Sequence, residues 1–397
     1  MPVLTLNAGS SSIRFALYGQ AARPERLLRG KLDRIGTAQA VLTVRDAGQG
    51  AERVVDLHSP ERGATLDSLL DWLAAQPQFA RVEAIGHRVV HGMQRSSPER
   101  VSAELLRDLR RIVPYDPEHL PWELGLIEAC SSRFPHLPQV ACFDTAFHRS
   151  MPRVASLLAI PRRFAAQGLQ RYGFHGLSYT YLLRELARRG DSAAKHGRVI
   201  LAHLGNGASL AAVRDGRSID TSMGFTPAAG LPMSSRTGDL DPGVFCYLAQ
   251  SQGLDSAALQ KMVNHESGLL GVSETSSDVR DLLAREAEDV RAAEALALFC
   301  YHARKWIGAF AAALGGLDTL VFAGGIGENS APLRARICSG LEFLGIELCA
   351  TRNAEGAGKI SRDSGRVAVR VIPTDEESVI ADLTFECLKQ PQEATHE

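Results

Sequence analysis

The sequence predicts an α/β protein of two domains, each built on a mixed sheet. Three observations carry this. Strand-like and helix-like hydrophobic periods alternate along the chain, as in sheets covered by helices. At 397 residues the chain exceeds one ordinary core. A strand, a small-residue loop and a second strand also occur twice, about half a chain apart. The first unit is Val3-Leu4-Thr5-Leu6, then Asn7-Ala8-Gly9-Ser10-Ser11-Ser12, then residues 13–18. The second runs from 199 to 204, through Gly205-Asn206-Gly207-Ala208-Ser209, into 210–213.

After the first hairpin, residues 30–44 read as strand. Residues 65–75 read as a helix with Leu66, Leu69, Leu70 and Leu73 on one face, and 82–90 as a buried strand. Residues 104–113 form a helix that Pro114 ends, 122–130 another helix, and 139–143 a strand running into Asp144-Thr145-Ala146. A looser Pro- and Arg-rich stretch at 151–163 is the expected boundary, giving domains at 1–150 and 151–380. The second half repeats the order: hairpin at 199–213, long loop at 221–242, helices at 244–252, 256–264 and 279–314. A strand at 319–322 meets Gly324-Gly325-Ile326-Gly327, read as a third close-approach loop. A strand at 366–372 then precedes a closing helix from about 377.

Composition sets bounds. With 44 basic and 45 acidic residues the net charge is −1, so no global field attracts nucleic acid or an anionic membrane, and an anion must be held by a local site. The seven cysteines include no Cys-x-x-Cys pair and read as reduced thiols, and the chain enters a strand without a secretory signal; both point to the cytoplasm. The apolar stretch 292–316 is broken by His302, Arg304 and Lys305, the mark of a buried helix rather than a membrane span. His87 and His91 have the spacing of a helical metal pair but fall on strand, which favours a structural role; Arg107, Arg110 and Arg111 read as a solvated helix face, and Cys142 as a core thiol.

Neither hairpin loop is a Walker A motif, because no Gly-x-x-x-x-Gly-Lys-Ser/Thr occurs and a strand follows each. An anion would be gripped by backbone amides and hydroxyls of the turn. One such loop is an ordinary Gly-Ser turn; two in equivalent halves point to an enzyme that closes on a nucleotide.

With these loops stand further ordered motifs: LNAGSSSIR at 6–14, GHRVVHG at 86–92, FDTAFH at 143–148, RYGFHG at 171–176, HLGNG at 203–207, DTSMGFTP at 220–227, RTGDLDP at 236–242, GGIGEN at 324–329 and IPTDEE at 372–377. Carrying these nearly end to end, the chain resembles the acetate kinase family, short-chain carboxylate kinases of the actin, sugar-kinase and heat-shock ATPase superfamily. The resemblance implies a duplicated actin-like (ribonuclease H-like) fold with a nucleotide cleft between domains, the C-terminal helix at about 380–397 returning to the first. It also implies a homodimer. The implied activity is reversible transfer of the ATP γ-phosphoryl group to acetate, with Mg2+ or Mn2+, giving acetyl phosphate and ADP.

Such chemistry explains the residue types. A carboxylic acid is already ionised near neutral pH, so no general base is needed; the difficulty is the approach of two anions. Catalysis then rests on positioning and positive charge. By resemblance Arg88, Arg236 and His175 supply it, and Asp144 and Glu376 are the carboxylates near the metal with Asn7 beside them. Asn7, Ser10, Ser12, Arg14, His203, Gly205, Asn206 and Gly207 fall to the nucleotide phosphates, and Asp278, Val279, Arg280, Gly325, Ile326 and Asn329 to adenosine. Arg14 stands where lysine is commonest in the family. Charge is kept and geometry changes, which predicts altered nucleotide affinity.

Besides Arg88, Val90, Phe174 and Pro227 match the walls of the acyl pocket. The family's fourth wall lies in a Pro-Leu-His-Asn-Pro segment; here Val113-Pro114-Tyr115-Asp116-Pro117-Glu118-His119 puts Tyr115 near the leucine, with the histidine read as lost. Propionate or another short-chain acid is therefore the alternative substrate. A rival of another class is a nucleotide-gated binding module, against which the pair Arg88 and Arg236 argues, since only a phosphoryl acceptor site needs it.

Overall fold

A computed structural model describes residues 2–9, 12–19, 25–35, 37, 40–47, 52–55 and 62–390. The chain divides into two compact units, Met1–Ala146 with Asp375–Glu397, and Phe147–Thr374.

The first unit is built on a sheet of eight strands among the described residues. They are β1 (Val3–Ala8), β2 (Ser12–Gly19), β3 (Glu25–Asp33), β4 (Val41–Asp46), β5 (Arg53–Val55), β6 (Ala84–Val89), β7 (Glu99–Arg100) and β8 (Gln139–Phe143), in spatial order β5-β4-β3-β2-β1-β6-β8-β7. Strands β1 to β5 form an antiparallel meander, whereas β6 joins β1 in parallel and β8 joins β6 in parallel. Every residue of β1 and β8 is buried, as expected for strands covered on both faces. The run of strand character over 30–44 falls on two strands, β3 and β4, because the chain turns after Asp33, with Arg34 in the left-handed region (φ 56°) and the Thr37 N–H bonded to the Arg34 carbonyl.

Helix Arg62–Ala74 and helix Leu120–Arg133 cover a core of Leu4, Leu6, Phe15, Leu69, Leu73 and Leu126. Helix Glu376–Lys389 lies on the other side, its Ala381 and Phe385 packed with Val3, Ala16, Tyr18 and Ala84. The approach is close enough that a Cβ on Gly86 of β6 would land on Thr384 Oγ1 and within 2.7 Å of Ile380 Cγ2. Residues 391–397, the tail of the C-terminal helix expected from sequence, lie outside the described residues.

The second unit repeats the plan on fewer strands: β9 (Arg198–Leu204), β10 (Ala208–Arg214), β11 (Arg217–Thr221), β12 (Thr319–Ala323) and β13 (Ala368–Val371), in order β11-β10-β9-β12-β13. Again the first three are antiparallel and the last two join in parallel. The long helix read over 279–314 is two, Val279–Arg285 and Val290–Leu314, because the Asp289 side chain accepts the Arg291 N–H and caps a fresh start. Gly324–Asn329 is a helical turn rather than an open loop. Gly324 enters it at φ +75°, and the Glu328 side chain accepts the Gly324 N–H at 2.9 Å. The stretch 151–163 holds a one-turn helix at Arg153–Ser156 and runs into another at Arg162–Ala165, and Gly268–Ser273 adds a short helix the sequence reading left out. Among the described residues no helix is long and apolar enough to cross a membrane.

Candidate active site

In the first unit the site is assembled at the ends of β1, β6 and β8. Arg88, near the end of β6, donates from Nε (2.9 Å) and Nη2 (2.6 Å) to Oδ2 of Asp144, the residue that follows β8. Its Nη1 donates to the Ala8 carbonyl at 3.1 Å. Asp144 is 1% exposed and the arginine side chain 13%. Burial works against the guanidinium charge, but the carboxylates of Asp144, Glu376 and Glu123 outweigh it and hold the pKa of Arg88 above its ordinary value.

Asn7, the last polar residue of β1, donates its amide to Glu376 Oε2 at 2.8 Å and to Glu377 Oε1 at 3.0 Å, fixing the start of the C-terminal helix. The Glu377 carboxyl is pushed above its usual range by burial and by the neighbouring Glu376, while Arg14 pulls it back. Arg14 is exposed on β2, opposite Asn7 in register, and Ser12 opens that strand with its carbonyl accepting the Gly9 N–H at 2.7 Å. Ser10 lies outside the described residues.

No cluster of three or more His, Cys, Asp or Glu suited to a metal occurs among the described residues. The donors Asp144, Glu376 and the Asn7 amide oxygen nonetheless fit Mg2+, which usually takes only one or two protein carboxylates and completes its shell with water and substrate phosphate. His87 and His91 do not form a metal pair. His87 Nε2 meets Gln139 Oε1 at 2.6 Å, and burial lowers both imidazoles to about 4.

In the second unit the loop after β9 is closed by a Gly205 N–H bond to the Gly207 carbonyl at 3.0 Å. A Cβ on Gly207 would lie 3.3 Å from His175 Nε2 and 3.6 Å from Arg236 Nη1, so both side chains sit over this loop. His175 occupies the left-handed region (φ 59°) just before helix Gly176–Arg188, and its Nδ1 meets Ser209 Oγ at 2.8 Å. Its ring stacks on His203 at 4.3 Å, and His203 Nδ1 is held by Ser178 Oγ at 2.8 Å. Arg236 Nη1 donates to the Pro227 carbonyl at 3.3 Å.

Gly324 lies so close to the same loop that a Cβ would meet the Leu204 carbonyl oxygen at 2.6 Å, and one on Gly205 would be 3.7 Å from the Gly325 nitrogen. The residues expected at phosphate and adenosine thus adjoin at Gly205 and Gly325. Asn206 and Gly325 are exposed and Ile326 half-buried, while the Asn329 amide donates to the Gly325 carbonyl at 2.9 Å. Asp278 and Arg280 form an exposed pair of their own, and Val279 is a core position at 6% exposure. Of the acyl-pocket residues, Val90, Phe174 and Pro227 are buried. Half-buried Tyr115 sets its ring 5.9 Å from His91.

Three features escaped the sequence reading. Pro117-Glu118-His119-Leu120-Pro121 keeps the Pro-x-His-x-Pro spacing of the segment taken as altered, and His119 is buried with Nδ1 2.9 Å from Asp116 Oδ1. Glu123, one turn further on, is 1% exposed and accepts the Val90 N–H at 3.0 Å. Glu377 shares Asn7 with Glu376.

A model of the acetokinase family matches residues 2–382. The chain belongs to the acetokinase family. Like other acetokinases it is a phosphotransferase with a carboxyl group as acceptor, and its two mixed sheets have the actin-like ATPase fold. It is 44% identical over 401 residues to the acetate kinase of Methylocella silvestris, covering 98% of each chain. Its structure is similar to that of the Porphyromonas gingivalis acetate kinase, with TM-score 0.86 and 36% identity over 98% of this chain and 100% of that one. A propionate kinase from Francisella tularensis matches at TM-score 0.89 and 35% identity, covering 96% of this chain and 98% of that one.

Proposed function

We propose that the enzyme transfers the γ-phosphoryl group of ATP to acetate, reversibly. An acetate oxygen attacks the γ-phosphorus in line, the bond from that phosphorus to the β,γ-bridging oxygen breaks, and its electron pair leaves with ADP. The observation that carries this reading is the Arg88–Asp144 pair. Three of the five guanidinium N–H groups are committed to Asp144 and Ala8, which leaves two, fixed in direction, for an incoming planar anion.

Arg236 and His175, held over Gly207, add donors where charge spreads over the transferring group; the first hairpin (Asn7, Ser12, Arg14) and the second (His203 to Gly207) grip the phosphates. Val90, Phe174 and Pro227, each buried within its own unit, are the residues we assign to an apolar seat that would turn the carboxylate toward phosphorus. Mg2+ bound near Asp144, Glu376 and Asn7 would neutralise phosphate charge and orient the nucleotide. Free thiols at all seven cysteines and the balanced charge support a cytoplasmic enzyme without nucleic-acid or membrane partners, which we read as a homodimer.

Trapping the acyl phosphate with hydroxylamine over acetate, propionate and butyrate tests the reading. It expects acetate to lead propionate in kcat/KM by more than about tenfold, a difference of ~1.4 kcal/mol. A lead for propionate would make the enzyme a propionate kinase, and ATP binding without carboxylate-dependent ADP release would overturn the assignment.

A further inference from the structure

Glu123 is buried in the first turn of helix Leu120–Arg133. Burial of an ionisable side chain is costly unless something offsets it, so its surroundings need a reason. Its Oε2 accepts the Val90 N–H at 3.0 Å, and its Oε1 has no hydrogen-bond partner among the described residues. The charged groups facing it are Arg88, Asp116 and Asp144.

Val90 is the first residue past β6, so its N–H lies beyond the ladder to β8, whose last paired residues are Val89 and Phe143. A buried backbone donor at that point must be satisfied by a side chain or water. Glu123 does this from a helix, and the residue it holds, Val90, is two positions along the chain from Arg88. Burial raises its carboxyl to about 8, although Arg88 and the Val90 N–H both pull it down. At neutral pH it is mainly the uncharged acid, which glutamine matches in shape.

We propose that Glu123 is a positioning residue for the acyl acceptor: by gripping the Val90 N–H it fixes the strand end from which Val90 lines the acyl seat and Arg88 reaches the phosphoryl group. The proposal rests on the reading of Val90 as a wall of that seat. The grip depends on reach, not on charge.

Two near-isosteric variants separate these. Glu123→Gln keeps the reach and removes the ionisable group; Glu123→Asp keeps the ionisable group and withdraws the oxygen by one methylene. Loss of one such hydrogen bond predicts that Glu123→Asp raises the KM for acetate by about tenfold and shifts the acetate-to-propionate ratio at least threefold, with the KM for ATP unchanged. Glu123→Gln should stay native-like in all three. Hydrogen exchange at the Val90 amide should quicken in Glu123→Asp alone, a readout that stands whatever the substrate proves to be. Reversed order, equal losses in both variants, or unchanged exchange in Glu123→Asp would overturn the proposal. Absence of acetate and propionate turnover in the native enzyme would defeat the proposed function and leave the exchange result to decide the grip.

Discussion

Truncation of Arg88 separates two roles that the structure assigns to one side chain. Its Nε and Nη2 neutralise an aspartate that is 1% exposed, and its two uncommitted N–H groups are offered to substrate. Arg88→Ala removes the guanidinium paired with a buried carboxylate, and breaking a buried pair from one side costs about 3–5 kcal/mol. At roughly 2–4 °C per kcal/mol for a unit of this size, Tm should fall by about 6–20 °C. Catalysis should fall independently by ~10³–10⁵, the range for an arginine serving a phosphoryl transition state. Arg88→Ala combined with Asp144→Asn removes the stranded charge. It should regain most of the lost Tm and none of the activity. Arg88→Lys can still neutralise Asp144, but its donors radiate from one point, so it should keep Tm near native while kcat/KM drops by more than about 10². Scanning fluorimetry and hydroxamate trapping on the same preparations read both effects. Arg88→Ala with native Tm and kcat/KM within tenfold of native would refute the reasoning.

Other perturbations follow from the same geometry. Ser209→Ala removes the group that holds His175 Nδ1 and also meets the Tyr179 hydroxyl, so kcat should fall by about 10² through misorientation while the KM for ATP stays near native in steady-state assays. Gly268→Ala places a methyl on the Met233 carbonyl and 2.7 Å from the Arg236 carbonyl, at a residue with φ +62°. Chemical denaturation should show a loss above ~2 kcal/mol, since the left-handed conformation alone costs about 1–2 kcal/mol, with activity lost as Arg236 moves. Because the folded pKa of Glu123 is raised from 4.5 to about 8, the native enzyme loses stability as pH climbs through that window. Glu123→Gln does not titrate, so its Tm relative to native should rise from pH 5 to pH 8 and level off above. A constant difference across that range would contradict the buried, uncharged state.

What the sequence made legible was residue type, and what it hid was pairing. Phosphoryl transfer between two anions demands arginines, hard oxygen donors and small-residue loops, so Asn7, Arg88, Asp144, His175, Arg236 and Glu376 stand out in their motifs. That Asn7 would meet Glu376 across 369 positions, or that Arg88 would spend three donors on Asp144 and Ala8, depends on which strands adjoin. Helix ends were missed for a local reason: Asp289 and Glu328 look like surface charges in the sequence, yet each accepts a backbone N–H and so starts or closes a helix. Glu123 left a subtler trace. It lies three residues after Leu120 and four before Ile127, on the buried stripe of its own helix, where a charge is out of place. A solvated face explains an acid elsewhere on a helix, but not there. An acid on an apolar stripe needs a polar partner on the facing element, and the partner here is the backbone of Val90, which has no side-chain signal to read.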